Sequence, residues 1–323
     1  MPFFVPWLLP PSVATVAALP PPLPPVAHPL RLAGMDLPFP DSAAVGAALR
    51  RHGYLADEHI AQVVFLATRL GKPVLVEGPA GVGKTELGKA LAAALGRRLI
   101  RLQCYEGLDE AKALYEWNYR KQLLRLQADR GRAWGEVEGD IFTEGFLLGR
   151  PLLEAIRSPE PVVLLIDEVD RVEVETEALL LEVLAEFQVS IPELGTVTAS
   201  SRPLVVLTSN NTRELSEALK RRCLFLHLGY PSAEREREIL LERVPGLPEA
   251  LAEQVAALVR SLRRLPLRKA PSVSESIDWA QTLLALGIDR LDAAAAGRTL
   301  HVVLKHQPDI EKAAVDLELP GAG

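Results

Sequence analysis

Short apolar runs punctuate the first two thirds of the chain, each separated from the next by a stretch of helical periodicity. Val74-Leu75-Val76, Leu99-Ile100-Arg101-Leu102-Gln103, Val162-Val163-Leu164-Leu165-Ile166 and Leu204-Val205-Val206-Leu207-Thr208 read as strands. The runs at 162–166 and 204–208 are apolar throughout, as expected of strands buried on both faces of a parallel sheet. Before the first of them, Asp57 fits an N-cap for a helix with apolar positions Ile60, Val63, Val64 and Ala67, ending at Gly71-Lys72-Pro73. Glu86 to Leu95 predicts an amphipathic helix stopped at Gly96, and Asp109 caps a longer helix running to about Gln127. A loop is expected from Asp129 to Gly139, a helix from Phe146 to Ile156 closed by Ser158-Pro159, and a strongly apolar helix from Leu179 to Phe187. Val189-Ser190-Ile191, the turn Glu193-Leu194-Gly195 and Thr196-Val197-Thr198 read as a hairpin.

Strands alternating with helices predict an α/β fold, with a parallel sheet flanked by helices on both faces. Beyond Tyr230-Pro231 the pattern changes. Ser232 caps a helix carrying Ile239, Leu240 and Val244, and the remainder reads as helical, with Leu300–Leu304 fitting either a strand or a buried helix. The division is therefore a tail over residues 1–34, an α/β domain over 35–228, and a small all-helical domain over 229–323. No internal repeat is evident.

Composition narrows this picture. A length of 323 residues suits one large or two smaller domains, and 48% hydrophobic content supplies their cores. The first thirty residues carry no Asp, Glu, Lys or Arg, yet they lack a basic leading segment and are broken by prolines. A membrane span needs about 20 residues that can stay helical, so the run reads as a disordered Pro-rich tail, or as sequence upstream of a start at Met35. A net charge of −6 argues against a general electrostatic grip on nucleic acid. Cys104 and Cys223 are far apart and lack metal-type spacing; they read as reduced thiols of a cytoplasmic protein.

The candidate chemistry begins at Gly78-Pro79-Ala80-Gly81-Val82-Gly83-Lys84-Thr85, which fits G-x-x-x-x-G-K-[ST] between a strand and a helix that opens with Glu86. Glycines let the backbone turn its N–H groups towards phosphates at the positive end of the helix. Lys84 would reach the β- and γ-phosphates, and Thr85 would place its hydroxyl on Mg²⁺. Asp167-Glu168 follows the strand at 162–166; there Asp167 would hold Mg²⁺ and Glu168 would orient an attacking water. Asn210, at the end of the last strand, fits either a turn or an amide that steadies that water. The basic group Lys220-Arg221-Arg222 after a helix fits either a dipole-compensating cluster or an arginine finger.

In this order, these elements resemble the AAA+ ATPases. Within that superfamily the chain resembles the MoxR group, most closely its carbon-monoxide-dehydrogenase maturation (CoxD-type) branch. The phrases that carry the resemblance are Gln103-Cys104-Tyr105-Glu106-Gly107, Tyr115-Glu116-Trp117-Asn118 and Ala270-Pro271-Ser272-Val273-Ser274-Glu275-Ser276. The resemblance covers residues 40 to 318. It implies a P-loop AAA+ core and helical lid, ATP with Mg²⁺ as cofactors, and a hexameric ring with ATP at each subunit boundary. It also implies hydrolysis coupled to remodelling or maturation of a client protein, for which a molybdenum hydroxylase and a von Willebrand factor A-type partner are the expected partners. Asn210 falls on the sensor position and Arg222 on the finger, with Arg221 as its substitute. Where many of these lids carry a sensing arginine the chain has Ser274, leaving Arg268 or Lys269 as candidates for that role. The competing reading is an AAA+ motor of the restriction-NTPase type acting on nucleic acid. Tyr105, Tyr115, Trp117 and Tyr119 cluster in one stretch and fit either internal packing or an anchor surface for a client. The hairpin at 189–198 is a second candidate for client contact.

Overall fold

The apolar runs become the centre of a five-stranded parallel sheet because their side chains can be buried on both faces. A computed structural model describes residues 38–128 and 141–320, all within one compact unit, Leu37–Gly323. The tail expected over 1–34 and the loop expected over 129–139 lie outside the described residues. Helices α1 (Ser42–Arg51) and α2 (Glu58–Leu70) precede β1 (Val74–Glu77); α3 (Lys84–Ala94) and β2 (Leu99–Gln103) follow. Asp57 caps α2 by accepting from the Ile60 N–H at 2.8 Å, and Gly71 closes it in the left-handed region. The other strands of the sheet are β5 (Val163–Asp167), β8 (Leu204–Ser209) and β9 (Leu224–His227), in spatial order β2-β5-β8-β1-β9.

Alternate side chains of these strands enter different cores. Val74, Val76, Val163, Leu165 and Val206 pack with α1, α2 and α3. Leu75, Leu164, Ile166, Val205 and Leu207 pack on the opposite face. The register pairs Glu77 with Ser209 and Gln103 with Asp167, so the carboxyl ends of β1, β8, β2 and β5 share one edge of the sheet. Ligands of open α/β sheets bind beyond this edge.

The helix expected from Asp109 to Gln127 is broken. Asp109 does cap a turn, α4 (Glu110–Ala113), but Tyr115–Trp117 forms β3 and helix α5 covers Tyr119–Ala128. Strand β4 (Leu147–Gly149) pairs antiparallel with β3, which also displaces the start of the helix expected from Phe146. That helix is α6 (Pro151–Arg157), with Pro151 in the first turn, where its missing N–H is harmless. After β5, α7 (Val174–Glu186) starts five residues earlier than Leu179 and leads into the expected hairpin, β6 (Gln188–Ile191) with β7 (Gly195–Thr198). The short α8 (Glu217–Lys220) precedes β9, an edge strand that the basic group before it hides from pattern reading.

Helices α9 (Ala233–Arg243), α10 (Glu249–Arg264), α11 (Val273–Ala285), α12 (Ala293–Val303) and α13 (Gln307–Asp316) complete the chain. Leu300–Val303 is therefore helical, buried in a core centred on Trp279, whose indole donates to Thr299 at 2.8 Å. A buried ion pair ties three of its segments. Glu236 of α9 accepts from Arg263 of α10 at 2.5 and 2.8 Å and from Ser276 of α11 at 2.7 Å. Among the described residues no helix is long and apolar enough to cross a membrane.

Candidate functional site

The loop between β1 and α3 needs its glycines. Gly81 and Gly83 lie at φ 73° and 98°, and a Cβ on Gly78 would come within 2.0 Å of the Leu228 carbonyl oxygen. Lys84 opens α3 and is 6% exposed; its Nζ donates to the Gly78 and Pro79 carbonyls at 2.8 and 2.7 Å and to Asn210 Oδ1 at 2.8 Å. Burial pushes its ammonium below the usual lysine range, while the carboxylates of Asp170, Asp167 and Glu168 pull it back. Thus Lys84 and Asn210, 126 residues apart, meet over the loop.

Asp167, at the end of β5, is 2% exposed and held from several sides. Its Oδ1 accepts from Thr85 Oγ1 at 2.9 Å and Thr208 Oγ1 at 2.5 Å; its Oδ2 pairs with Arg101 of β2 at 2.5 Å. Glu168 adopts the left-handed region at φ 58°, uncommon for a residue with a side chain and concentrated at functional sites. Its N–H donates to Thr208 Oγ1 at 2.9 Å and its carboxylate pairs with Arg171 at 2.7 Å. Asp170 accepts from the N–H groups of Asn210 and Thr212, at 3.2 and 2.9 Å, and from the Thr212 hydroxyl at 2.6 Å. Desolvation raises the Asp170 pKa, but these hydrogen bonds outweigh it and hold the carboxyl below its ordinary range. The turn carrying Asn210 is thereby fastened to the segment carrying Asp167 and Glu168.

Beside the loop lies a cavity of about 600 Å³, walled by Tyr54, Val82 and Glu86 on one side and by Tyr230, Arg235 and Ile277 on the other. Arg235 Nη1 pairs with Glu238 at 2.7 Å, whereas its buried Nη2 has no hydrogen-bond partner among the described residues. Ser274 reaches the loop through its N–H, which donates to the Gly81 carbonyl at 3.2 Å. Arg268 and Lys269 give their backbone N–H groups to Asp309, and the Lys269 side chain is paired with Glu275. Arg222 stands apart from this hydrogen-bonded cluster: its Nη1 donates to the Ala218 carbonyl at 2.9 Å, and neither it nor Arg221 forms an ion pair among the described residues. Glu86 pairs with Lys89 at 2.7 Å, and Ala80 is exposed at the loop tip.

These residues fit a nucleoside triphosphate. The glycine loop and helix N-terminus suit phosphates, Lys84 supplies a cation, and the cavity with its orphaned guanidinium nitrogen offers room and a donor for the rest. They also fit a divalent ion that keeps most of its ligands outside the protein. Among the described residues no group of three His, Cys, Asp or Glu side chains could cage a metal, but Thr85 and Asp167 present a hydroxyl and a carboxylate together. Burial raises the thiols of Cys104 and Cys223 to about 12, so neither acts as a nucleophile near neutral pH. Asp170, Thr208, Tyr54 and Arg235 escaped sequence reading, since only the packing brings them to the site. The aromatic stretch divides: Trp117 is buried and packs edge-on to Phe142, while Tyr105 and Tyr119 are exposed.

Comparison with known proteins agrees with this geometry. Residues 73–223 match the AAA domain (dynein-related subfamily). The chain is similar to the denitrification regulatory protein NirQ of Pseudomonas aeruginosa, 26% identical over 249 residues, spanning 74% of this chain and 86% of that protein. An uncharacterized protein of Staphylococcus haemolyticus is 25% identical over 246 residues, spanning 73% and 87%. Among solved structures, the Thermotoga maritima RuvB Holliday junction branch migration motor aligns over 87% of this chain and 68% of its own, with 18% identity and a TM-score of 0.42. Over residues 73–223 the chain is similar to AAA domains of the dynein-related subfamily, and it is an ATP-hydrolysing enzyme.

Proposed function

We propose that this protein is a MoxR-type, Mg²⁺-dependent ATPase that uses hydrolysis to remodel or mature a client protein. The observation that carries the catalytic part of the proposal is the convergence of Thr85, Thr208 and Arg101 on the buried carboxylate of Asp167, next to Lys84 and Glu168. In this reading the backbone of Gly78–Thr85 and Lys84 hold the triphosphate. Thr85 and Asp167 would hold Mg²⁺, which when bound would supply charge neutralisation on the triphosphate. Glu168 aligns the attacking water and accepts its proton, while Asn210, positioned by Asp170, steadies that water. Arg222 serves a neighbouring subunit: its half-buried position after α8, outside the hydrogen-bonded cluster around Lys84, suits a finger supplied across a ring boundary.

Resemblance and the NirQ similarity support the MoxR assignment; the resemblance alone supports a hexamer, the CoxD-type branch, a molybdenum hydroxylase client and a von Willebrand factor A-type partner. The net charge of −6 weighs against a nucleic-acid substrate, and the two unreactive thiols accord with a cytoplasmic protein. Glu168→Gln tests the reading. It is expected to bind ATP and sediment as a larger, nucleotide-dependent assembly while phosphate release falls about a hundredfold or more, within the range of removing one positioned acid–base group. A variant that hydrolyses ATP normally would sink the catalytic assignment, and a fully active monomer would sink the ring.

A further inference from the structure

The orphaned nitrogen of Arg235 calls for a partner. Arg235 lies in the first helix after β9, beyond Tyr230-Pro231, and it lines the cavity beside the phosphate loop. Its Nη1 is engaged by Glu238 on its own helix, which orients the planar fork and leaves the buried Nη2 with no acceptor among the described residues. A buried donor without a partner is costly, and such groups in folded proteins mark ligand or water positions. Its neighbours across the cavity bear on what that ligand is. Tyr54, Ile60, Ile277 and Tyr230 give apolar and aromatic walls, which suit a flat heterocycle, while the phosphate-binding elements lie at the Gly81–Gly83 end.

We propose that Arg235 is a specificity-determining residue for the nucleoside part of the bound nucleotide, with Nη2 donating a hydrogen bond to an acceptor on the purine or ribose. The assignment rests on the ATPase reading of the site. It gives the helical segment a direct contact with the nucleotide in addition to the Ser274–Gly81 backbone bond. It also distinguishes Arg235 from a phosphate-sensing arginine, because its ligand lies at the other end of the molecule.

Calorimetric titration of the full chain with ATP, 2′-deoxy-ATP and inorganic tripolyphosphate, each with Mg²⁺, tests this. Arg235→Gln is expected to weaken ATP about tenfold or more, the usual loss for a hydrogen bond from a charged donor. Tripolyphosphate affinity and the thermal midpoint without nucleotide should stay at wild-type values. Arg235→Lys, which keeps the charge but not the fork, should show the same selective loss. If 2′-deoxy-ATP loses as much as ATP, the acceptor lies outside the 2′-hydroxyl; if the variant's loss vanishes with 2′-deoxy-ATP, the acceptor is that hydroxyl. Equal losses for ATP and tripolyphosphate, or no loss for ATP, would overturn the assignment while leaving the ATPase reading intact. A wild-type chain that binds neither ligand would overturn both.

Discussion

Removing the Asp170 carboxylate, a group with no place in the phosphate-loop pattern, should damage both the fold and the site. In the native protein this side chain is 3% exposed and accepts three hydrogen bonds, from the Asn210 N–H, the Thr212 N–H and the Thr212 hydroxyl. Hydrogen bonds to a charged acceptor contribute about 1.5–3 kcal/mol each, but bonds sharing one acceptor are not additive, and water can reach part of the turn in Asp170→Ala; about 3 kcal/mol in total is expected. Urea denaturation at neutral pH should therefore show a lowered midpoint with an unchanged slope. The pH dependence has a definite sign. The Asp170 pKa is depressed below its ordinary value of 3.8, so its stabilisation is present above that pH and fades as pH falls through the native value. The gap between wild type and variant should narrow in acid. Lys84 also loses the foremost of the carboxylates that oppose its desolvation, so its pKa falls further and ATP affinity drops with turnover. A loss below about 1 kcal/mol, or a gap that does not narrow in acid, would refute the view that this carboxylate fastens the Asn210 turn.

Other perturbations separate local from distributed effects. Gly78→Ala places a Cβ within 2.0 Å of the Leu228 carbonyl oxygen, so the backbone leading from β9 must move. A stability loss of about 1–3 kcal/mol with strongly reduced ATP binding is expected by thermal denaturation and titration, and unchanged binding would show the loop to be more pliant than drawn. Glu236→Ala leaves Arg263 buried without its acceptor. It should destabilise by about 3–5 kcal/mol in urea, and a loss of surface-pair size, under about 1 kcal/mol, would contradict the burial.

The strands at 74–77, 163–167 and 204–209 were readable because burial on both faces leaves runs of apolar residues with no alternation to misread. Asp57 and Ser232 were readable because capping is local. Tyr115-Glu116-Trp117 was not: its periodicity continues that of its neighbours, and only pairing with Leu147–Gly149, thirty-odd residues on, makes it a strand. Likewise β9 is an edge strand of mixed burial, and its basic flank resembles a helix end. In the site, Lys84, Thr85, Asp167, Glu168 and Asn210 follow from motif and order. Their supports do not. Asp170, Thr208 and Arg101 are ordinary polar residues until the sheet register sets them around Asp167, and Tyr54 and Arg235 meet across a cavity that exists only when the helices pack.

The alternation along β5 makes this inner strand a party wall between two rooms. Val163 and Leu165 belong to one core, Leu164 and Ile166 to the other. A methyl group trimmed from Leu165 loosens one room, and the same change at Ile166 loosens its neighbour, so adjacent positions report on separate halves of the molecule. The carboxylate of Asp167 sits on top of that wall and inherits its stiffness from both sides.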